Sequence, residues 1–317
     1  LYGDASSVAT NTTKLSYIAG GLGTVPEDTV VIDGTMSFTG TSTNDSDSLD
    51  IGPNIDPTLS SSVLIGQNIG ALGVAKTTNS VALGRSLIEN ADSTSEAIVI
   101  GQGLLQGPNA EVNNVIALGY ETAAGSSGPF QNGIYIGSAT LTSNALTENN
   151  SIVIGHGAMQ TTLSSQNNIA IGRQVLKSVA ANVTTSTIMG YQACENMAYG
   201  GGPQTVTQTT AIGHQVLATC GASSIEDNVV IGRDTGRNVL QGNAAVAAFN
   251  DNVLLGPFAG TNLGTGTGQG VSNNVAIGNQ AAAFGASSNA VTYSDNIYIG
   301  QQAGLNASGV GNIGIGQ

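Results

Sequence analysis

The residues Asn167-Asn168-Ile169-Ala170-Ile171-Gly172 contain the clearest copy of a short pattern that recurs through most of the chain. The pattern is an apolar residue, a small or apolar residue, an isoleucine or leucine, and a glycine, and we call these four residues the phrase. Up to residue 190 the closing glycines are 17 or 18 residues apart, whereas later gaps range from 16 to 24 residues. The closing glycines, with looser copies at Gly190 and Gly213, are Gly66, Gly84, Gly101, Gly119, Gly137, Gly155, Gly172, Gly190, Gly213, Gly232, Gly256, Gly278, Gly300 and Gly316.

This spacing predicts the fold class. It is too short for repeats of helical hairpins and matches one coil of a β-solenoid. Small and β-branched apolar residues with glycine between them favour short strands joined by tight turns. We therefore predict an all-β chain folded as a parallel β-solenoid, or β-roll, of about 14 coils. At ~4.8 Å per coil, such a rod is roughly 65 Å long.

The repeat also divides the chain into three parts. Residues 1–50 lack the phrase and contain a hairpin signal at Asp33-Gly34, so we predict a non-repeat N-terminal β segment that acts as a cap or adaptor. Residues 51–190 are predicted to form regular solenoid with repeats of about 18 residues. Residues 191–317 are predicted to form solenoid with longer loop insertions, at 198–209, 240–250, 261–272 and 284–294.

Strand alternation gives each phrase two faces. The first and third residues share one face and the middle residue lies on the other. We interpret the first and third residues, nearly all Val, Ile or Leu, as the filling of the coil. The middle residue is also apolar, which predicts a second buried surface at the axis of a homotrimer. This predicted trimer-axis face consists of Leu64, Ala82, Val99, Ala117, Tyr135, Val153, Ala170, Ile188, Ala211, Val230, Leu254, Ala276 and Tyr298.

Two other positions of the repeat are predicted to be structural. The phrase glycine predicts a bend with positive φ or a close approach between backbones. Asparagine often stands four residues before that glycine, where stacked side chains can hydrogen-bond as a ladder between coils. These asparagines are Asn168, Asn228, Asn252, Asn274, Asn296 and Asn312.

The composition excludes several classes of function. The net charge is −13 and Lys plus Arg contribute only 7 residues, so the sequence shows no basic stripe for nucleic acid. No apolar run approaches the ~20 residues that span a bilayer, and we predict no membrane insertion. Hydrophobic residues make up 40 % of the chain, which favours a folded protein over a disordered one. The only cysteines, Cys194 and Cys220, are interpreted as small buried hydrophobes rather than a bridge.

Residues that usually carry catalysis are sparse. His156 and His214 each follow a phrase glycine, at a position that other coils fill with arginine or tyrosine, which favours an exposed surface position. The chain has no HExxH motif, no nucleophile elbow and no tandem GGxGxD calcium repeat. The glycine-rich run at 264–270 lacks the lysine of a P-loop. We therefore predict that the protein is not an enzyme and has no catalytic residue, metal or cofactor.

The stretches at residues 167–172 and 273–278, Asn-Asn-Ile-Ala-Ile-Gly and Asn-Asn-Val-Ala-Ile-Gly, resemble the head repeat of YadA-like trimeric autotransporter adhesins. Similar repeats occur in phage tail fibres. The resemblance covers about residues 60–317 and implies a trimeric, left-handed parallel β-roll whose phrase strand lies nearest the three-fold axis. Adhesin heads use a shorter and more constant unit, and this difference favours a virion fibre.

These observations predict a structural fibre protein at the virion surface, such as a phage tail fibre, that acts in host attachment. Its predicted partners are further copies of itself, a host surface receptor or glycan, and other fibre or baseplate proteins bound through residues 1–50. The aromatic residues predicted to face the receptor from loops are Tyr199, Phe249, Phe284 and Tyr293. Two alternatives stay open: the head of a bacterial trimeric autotransporter adhesin at the cell surface, and a solenoid depolymerase that acts on surface polysaccharide.

Overall fold

The computed structural model describes residues 49–51, 61–70, 76–89, 91–106, 110–124, 128–142, 148–160, 164–177, 181–196, 204–240, 248–264, 270–284 and 293–317. Tyr199 and all but the last two residues of the predicted N-terminal segment lie outside these ranges. Within them the chain forms one sheet of 26 strands, joined by turns and bends, and no helix. The predicted all-β parallel solenoid is confirmed, and its coil number of about 14 stays a prediction.

Each phrase lies in a parallel strand, and these phrase strands stack into one ladder. Neighbours pair phrase against phrase, so that Ile152, Val153 and Ile154 lie beside Ile169, Ala170 and Ile171. With strands numbered along the chain, the phrase strands are β1 (Leu49–Ile51), β2 (Val63–Ile69), β4 (Val81–Leu87), β6 (Ile98–Gln102), β7 (Ala110–Tyr120), β8 (Phe130–Ser138), β10 (Ile152–His156), β12 (Ile169–Ile171), β14 (Thr187–Tyr191), β16 (Thr210–His214), β18 (Val229–Arg233), β20 (Val253–Leu255), β22 (Val275–Ile277), β24 (Ile297–Ile299) and β26 (Ile313–Ile315). β1 pairs with β2 in the same register, so the described part of the solenoid begins at Leu49.

A second parallel ladder is formed by the residues that precede each phrase. Its strands are β3 (Lys76–Thr78), β5 (Ala91–Ser95), β9 (Glu148–Asn149), β11 (Ser164–Gln166), β13 (Ala181–Thr184), β15 (Gln204–Thr207), β17 (Ser224–Glu226), β19 (Ala248–Asn250), β21 (Val271–Ser272), β23 (Tyr293–Ser294) and β25 (Gly309–Val310), while β7 and β8 run through both ladders. A corner residue with positive φ separates the two ladders, as at Asn150 (φ 55°) and Asn167 (φ 57°). Asparagine tolerates this conformation better than most residues, and here its amide also donates to the next corner, with an Asn150–Asn167 distance of 3.1 Å.

The core lies inside the coil, enclosed by the two ladders and by the turn that follows each phrase glycine. In one coil, for example, Ala170 of the phrase and Val175 and Leu176 of the turn are fully buried, as is Val183 of the second ladder. After the phrase glycine the chain returns to the core through turns at residues 172–177.

Gly155 shows why glycine closes each phrase. Its φ is +144°, and a Cβ at this position would collide with the carbonyl oxygen of Gly172 in the next coil. The same collision recurs at Gly172 against Gly190. Because only glycine combines this φ with the absence of a side chain, both parts of the prediction for this position are confirmed.

Five of the six asparagines four residues before the glycine form the predicted ladder: Asn228, Asn252, Asn274, Asn296 and Asn312. Asn168 has no asparagine above or below it and bonds to Ser165, Val183 and Ser186 instead. The Nδ2 atom of Asn252 donates to Oδ1 of Asn228 at 3.0 Å and to the carbonyl oxygens of Asn250 and Val271 at 2.8 and 3.0 Å. Asn274 repeats the arrangement on Asn252, with an Nδ2–Oδ1 distance of 2.9 Å. Since these buried amides are paired with both side chains and backbone, they link the coils without leaving a polar atom unsatisfied.

Candidate functional site

The first and third residues of each phrase form an exposed apolar surface along the described solenoid, which we call the outer face. They point away from the core because alternation places them opposite the middle residue. None of their described side chains is buried, and several isoleucines and valines expose between 37 % and 42 % of their surface. The outer face consists of Val63, Ile65, Val81, Leu83, Ile98, Ile100, Ile116, Leu118, Ile134, Ile136, Ile152, Ile154, Ile169, Ile171, Thr187, Met189, Thr210, Ile212, Val229, Ile231, Val253, Leu255, Val275, Ile277, Ile297, Ile299, Ile313 and Ile315.

The outer face is uniform in chemistry. Its described members include no charged residue, and Thr187 and Thr210 are its only hydroxyl groups. Most members are β-branched, so their side chains have little rotamer freedom to lose when they are covered. A soluble monomer rarely exposes more than a few hundred Å² of contiguous apolar surface, and a double row roughly 65 Å long exceeds that size. The outer face is therefore larger than the apolar patches that soluble monomers usually expose.

The prediction that the middle residues face a trimer axis is wrong. Leu64, Ala82, Val99, Ala117, Tyr135, Val153, Ala170, Ile188, Ala211, Val230, Leu254 and Ala276 are completely buried within a single chain, and Tyr298 is 3 % exposed. A side chain with no exposed surface in its own chain cannot contact another subunit. The two faces of the phrase are thus inverted relative to the prediction: the middle residue fills the coil, and its two neighbours face outward.

The prediction that aromatic residues face a receptor from loops also fails in the described residues. Phe249 is completely buried in β19, beside Ile225 and Val271, and Tyr293 is 2 % exposed in β23. Phe284 is half-buried and packs edge-on against Tyr293, with ring centroids 5.5 Å apart. The predicted insertions end in strands of the second ladder, whose inward positions take large apolar side chains.

The structure also shows where the histidines and cysteines lie. His156 and His214 are exposed, as expected from their place after the glycine. Cys194 and Cys220 are free and buried, which confirms their interpretation as small hydrophobes. Burial raises the pKa of the Cys220 thiol to about 12 and that of Cys194 still further, so both thiols stay protonated near neutral pH. In the part of the chain that the structure describes, no three His, Cys, Asp or Glu residues are grouped so that they could hold a metal ion.

The described ranges contain no helix that is long and apolar enough to cross a bilayer.

The residues directly after the phrase glycines form a row that sequence reasoning did not assemble; we call it the post-glycine row. The rings of Tyr191 and His214 are stacked, with centroids 5.1 Å apart and planes at 17°. The guanidinium of Arg173 lies 5.6 Å from the Tyr191 centroid, and that of Arg233 lies 4.8 Å from the ring centroid of Phe258. The common offset from the glycine was visible in the sequence, but the contacts between successive coils were not.

Comparisons with protein-family models, with curated proteins and with solved structures gave no match to this chain. The outer face and the post-glycine row are therefore the features of the described residues that bear on function.

Proposed function

We propose that this chain is a structural fibre protein of a virion, such as a phage tail fibre, which trimerises through its outer face and acts in host attachment. The observation that carries the proposal is the outer face itself. It runs from Val63 to Ile315 on one side of a rigid rod, and its described members bear no charge. Such a surface is covered most simply by the same surface of another copy, because identical coils rise at identical intervals.

Three copies around one axis suit this surface. Each outer face can then contact the outer faces of both other chains, so that no apolar row is left in water. The resemblance of the repeat to trimeric head repeats supports the number three. The middle residues need no part in this association, because they already fill the coil of their own chain.

A trimeric rod also suits attachment without bond-making chemistry. Every coil presents the same positions at its surface, and three chains triple the number of copies of each. Several weak contacts to one host surface can together raise avidity by ~10²–10⁴ without a tight single site. The protein then attaches through repeated weak surface contacts and needs no chemical reaction.

Light scattering at several concentrations tests the association. We expect the mass of three chains of 31.5 kDa each, unchanged on dilution to micromolar concentration and after mild heating, and rod-shaped particles by electron microscopy. A single-chain mass at micromolar concentration would contradict the proposal, because the outer face would then be stable in water.

A further inference from the structure

The post-glycine row runs along one edge of the outer face. A residue after the glycine lies two positions beyond the third phrase residue, so it points outward from the same strand. Tyr191, His214 and Arg233 end the adjacent strands β14, β16 and β18 and pair directly with one another. The backbone bonds from Gln174 to His156 and from Gln192 to Arg173, 2.8 and 2.9 Å, continue the row through the two preceding coils. Successive members are ~4.8 Å apart.

Three consecutive members form one stack. The guanidinium of Arg173 covers one face of the Tyr191 ring, and the imidazole of His214 covers the other. Because the faces cover one another, the stack offers its edges to a ligand. These edges carry guanidinium N–H, phenol O–H and imidazole N–H groups, all of which can donate hydrogen bonds.

A chain of amides fixes this stack beside the backbone. The residues next to it in sequence are Gln174, Gln192 and Gln215. Nε2 of Gln192 donates to Oε1 of Gln174 at 3.4 Å, and Nε2 of Gln215 donates to Oε1 of Gln192 at 3.1 Å. The coils that carry the stack are thereby tied together at the surface. The donors are held in position before any ligand arrives, which lowers the entropy lost on binding.

Positive charge is concentrated on this side of the rod. Arg173 and Arg233 are exposed members of the row, and Lys177 and Arg237 lie four residues after them. Asp234 is buried between two arginines, 3.7 Å from Nε of Arg233 and 3.1 Å from Nη1 of Arg237. One carboxylate shared by two guanidinium groups leaves a positive charge there. Over residues 156–237 the four cations are balanced by four acids, Glu195, Glu226, Asp227 and Asp234. Glu226 ends a strand of the second ladder and Asp227 follows it, so neither acid is in the row or in the turn that follows it.

We propose that the post-glycine row between His156 and Arg233 binds an anionic polysaccharide, whose carboxylate or sulfate groups lie along the rod against donors of successive coils. The inference rests on the proposed attachment role and names the ligand class for it. Charge-assisted hydrogen bonds from arginine to such groups are the strong contacts of the site. A polymer suits a row of this kind, because each coil supplies one modest contact and several coils act together.

The same geometry disfavours single-stranded nucleic acid. Proteins that bind it stack successive bases on uncovered aromatic faces, and both faces of Tyr191 are already covered. Duplex binding needs many phosphate contacts from lysine and arginine, whereas the described part of the row offers two arginines between His156 and Arg233. The carboxylate or sulfate groups of a charged glycan need only the N–H and O–H groups at the edges of the stack.

Binding to immobilised polygalacturonate and dextran sulfate tests the inference, with neutral dextran and single-stranded poly(dT) as comparison probes. The full chain is expected to bind the two anionic polysaccharides and not neutral dextran. Replacing both arginines, Arg173→Ser with Arg233→Ser, is expected to weaken binding at least about tenfold, since hydrogen bonds to charged groups are lost. The matched control is Arg85→Ser, which removes the same charge at the same offset but between Gln67 and Gln102. It is expected to change binding less than about twofold.

Tyr191→Phe separates a binding role from a packing role. It keeps the ring and the stack but removes the hydroxyl donor, so the melting temperature should stay unchanged while binding weakens about threefold or more. This variant also decides the matter if the double arginine variant fails to fold.

Three results would overturn the inference: no binding of the wild-type chain to either anionic polysaccharide, equal binding by wild type and Tyr191→Phe, or binding to poly(dT) as strong as to the polysaccharides. The solution mass is measured on the same samples. A trimer that binds neither anionic probe contradicts this inference alone, whereas a single-chain mass contradicts the fibre proposal.

Discussion

At the scale of single residues, the buried asparagines have the clearest structural role. Asn252 has no exposed surface, and its amide joins the coil before it, its own coil and the coil after it. Parallel strands already bond through their backbones, so the ladder adds a second set of links at a fixed position in each coil. It also fixes the register between neighbouring coils, because a slip of one residue would leave buried amides unpaired.

Replacing Asn252 by alanine tests this role. The change removes the acceptor of the buried Asn274 backbone N–H and a donor to the Val271 carbonyl. We expect the free energy of unfolding to fall by roughly 1–3 kcal/mol, measured by denaturation in guanidinium. The matched control is Asn279→Ala, at an exposed position where the expected change is within about 0.5 kcal/mol. Equal losses in the two variants would contradict the structural role of the ladder.

The ladder also explains which residue-scale prediction failed and why. The sequence predicted an inter-coil role for Asn168, which bonds to Val183 and Ser186 of the next coil, and gave the phrase two apolar faces. Residues two apart in a strand share a face, so a buried Asn168 requires that Ala170 is buried as well. The buried asparagine thus indicates which face of the phrase strand lies inside the coil. The inverted prediction relied instead on the greater bulk of Ile169 and Ile171.

At the scale of the element, the glycine of each phrase lies against the glycine of the next coil. Gly155 sits at φ +144° with its α-carbon facing the backbone of Gly172. Gly157, two residues later, also has a positive φ of +63°, but the nearest atoms to a Cβ there belong to the flexible side chain of Gln160, at 3.5 Å or more. A side chain at Gly155 would therefore meet both a strained φ and a neighbouring backbone, whereas one at Gly157 would meet only the strained φ.

Substituting each of these glycines by alanine distinguishes the two effects. Gly155→Ala must push two coils apart and is expected to lower the free energy of unfolding by roughly 3 kcal/mol or more. Gly157→Ala meets no backbone and is expected to cost about 1–2 kcal/mol, the penalty for a left-handed alanine. Thermal and denaturant unfolding of both variants measure the difference. Similar losses would show that close approach between the glycines is not what the phrase requires.

The second ladder is the element that the sequence predicted least well. Its strands are short, from two residues at Glu148–Asn149 to five at Ala91–Ser95, and they lack a recurring motif. Their inward position holds Ser165 in one coil and Phe249 in another. Such variation requires the rest of the interior to adjust, because protein cores are closely packed. A local pattern cannot show this adjustment, and so Phe249 and Tyr293 were predicted to lie in loops.

At the scale of the whole molecule, the folding of a single chain does not explain why the outer face is apolar. Every coil closes its own core with the middle residue of the phrase, and yet the two flanking positions remain isoleucine, valine or leucine in nearly every coil. Polar residues there would leave the coil equally well filled. The central claim is therefore that the outer face is buried between copies of this chain.

The most direct test is the solution mass of a variant that carries Ile136→Asp, Ile154→Asp, Ile171→Asp and Ile212→Asp, all on the third position of the outer face. These side chains are not needed inside the coil, so the account predicts a single-chain mass with the β-sheet circular dichroism of the wild type. The control Gln166→Asp, on an exposed residue of β11, is expected to keep the three-chain mass. A four-site variant that remained a stable trimer would contradict the account, because charges would then be tolerated where it places the subunit interface.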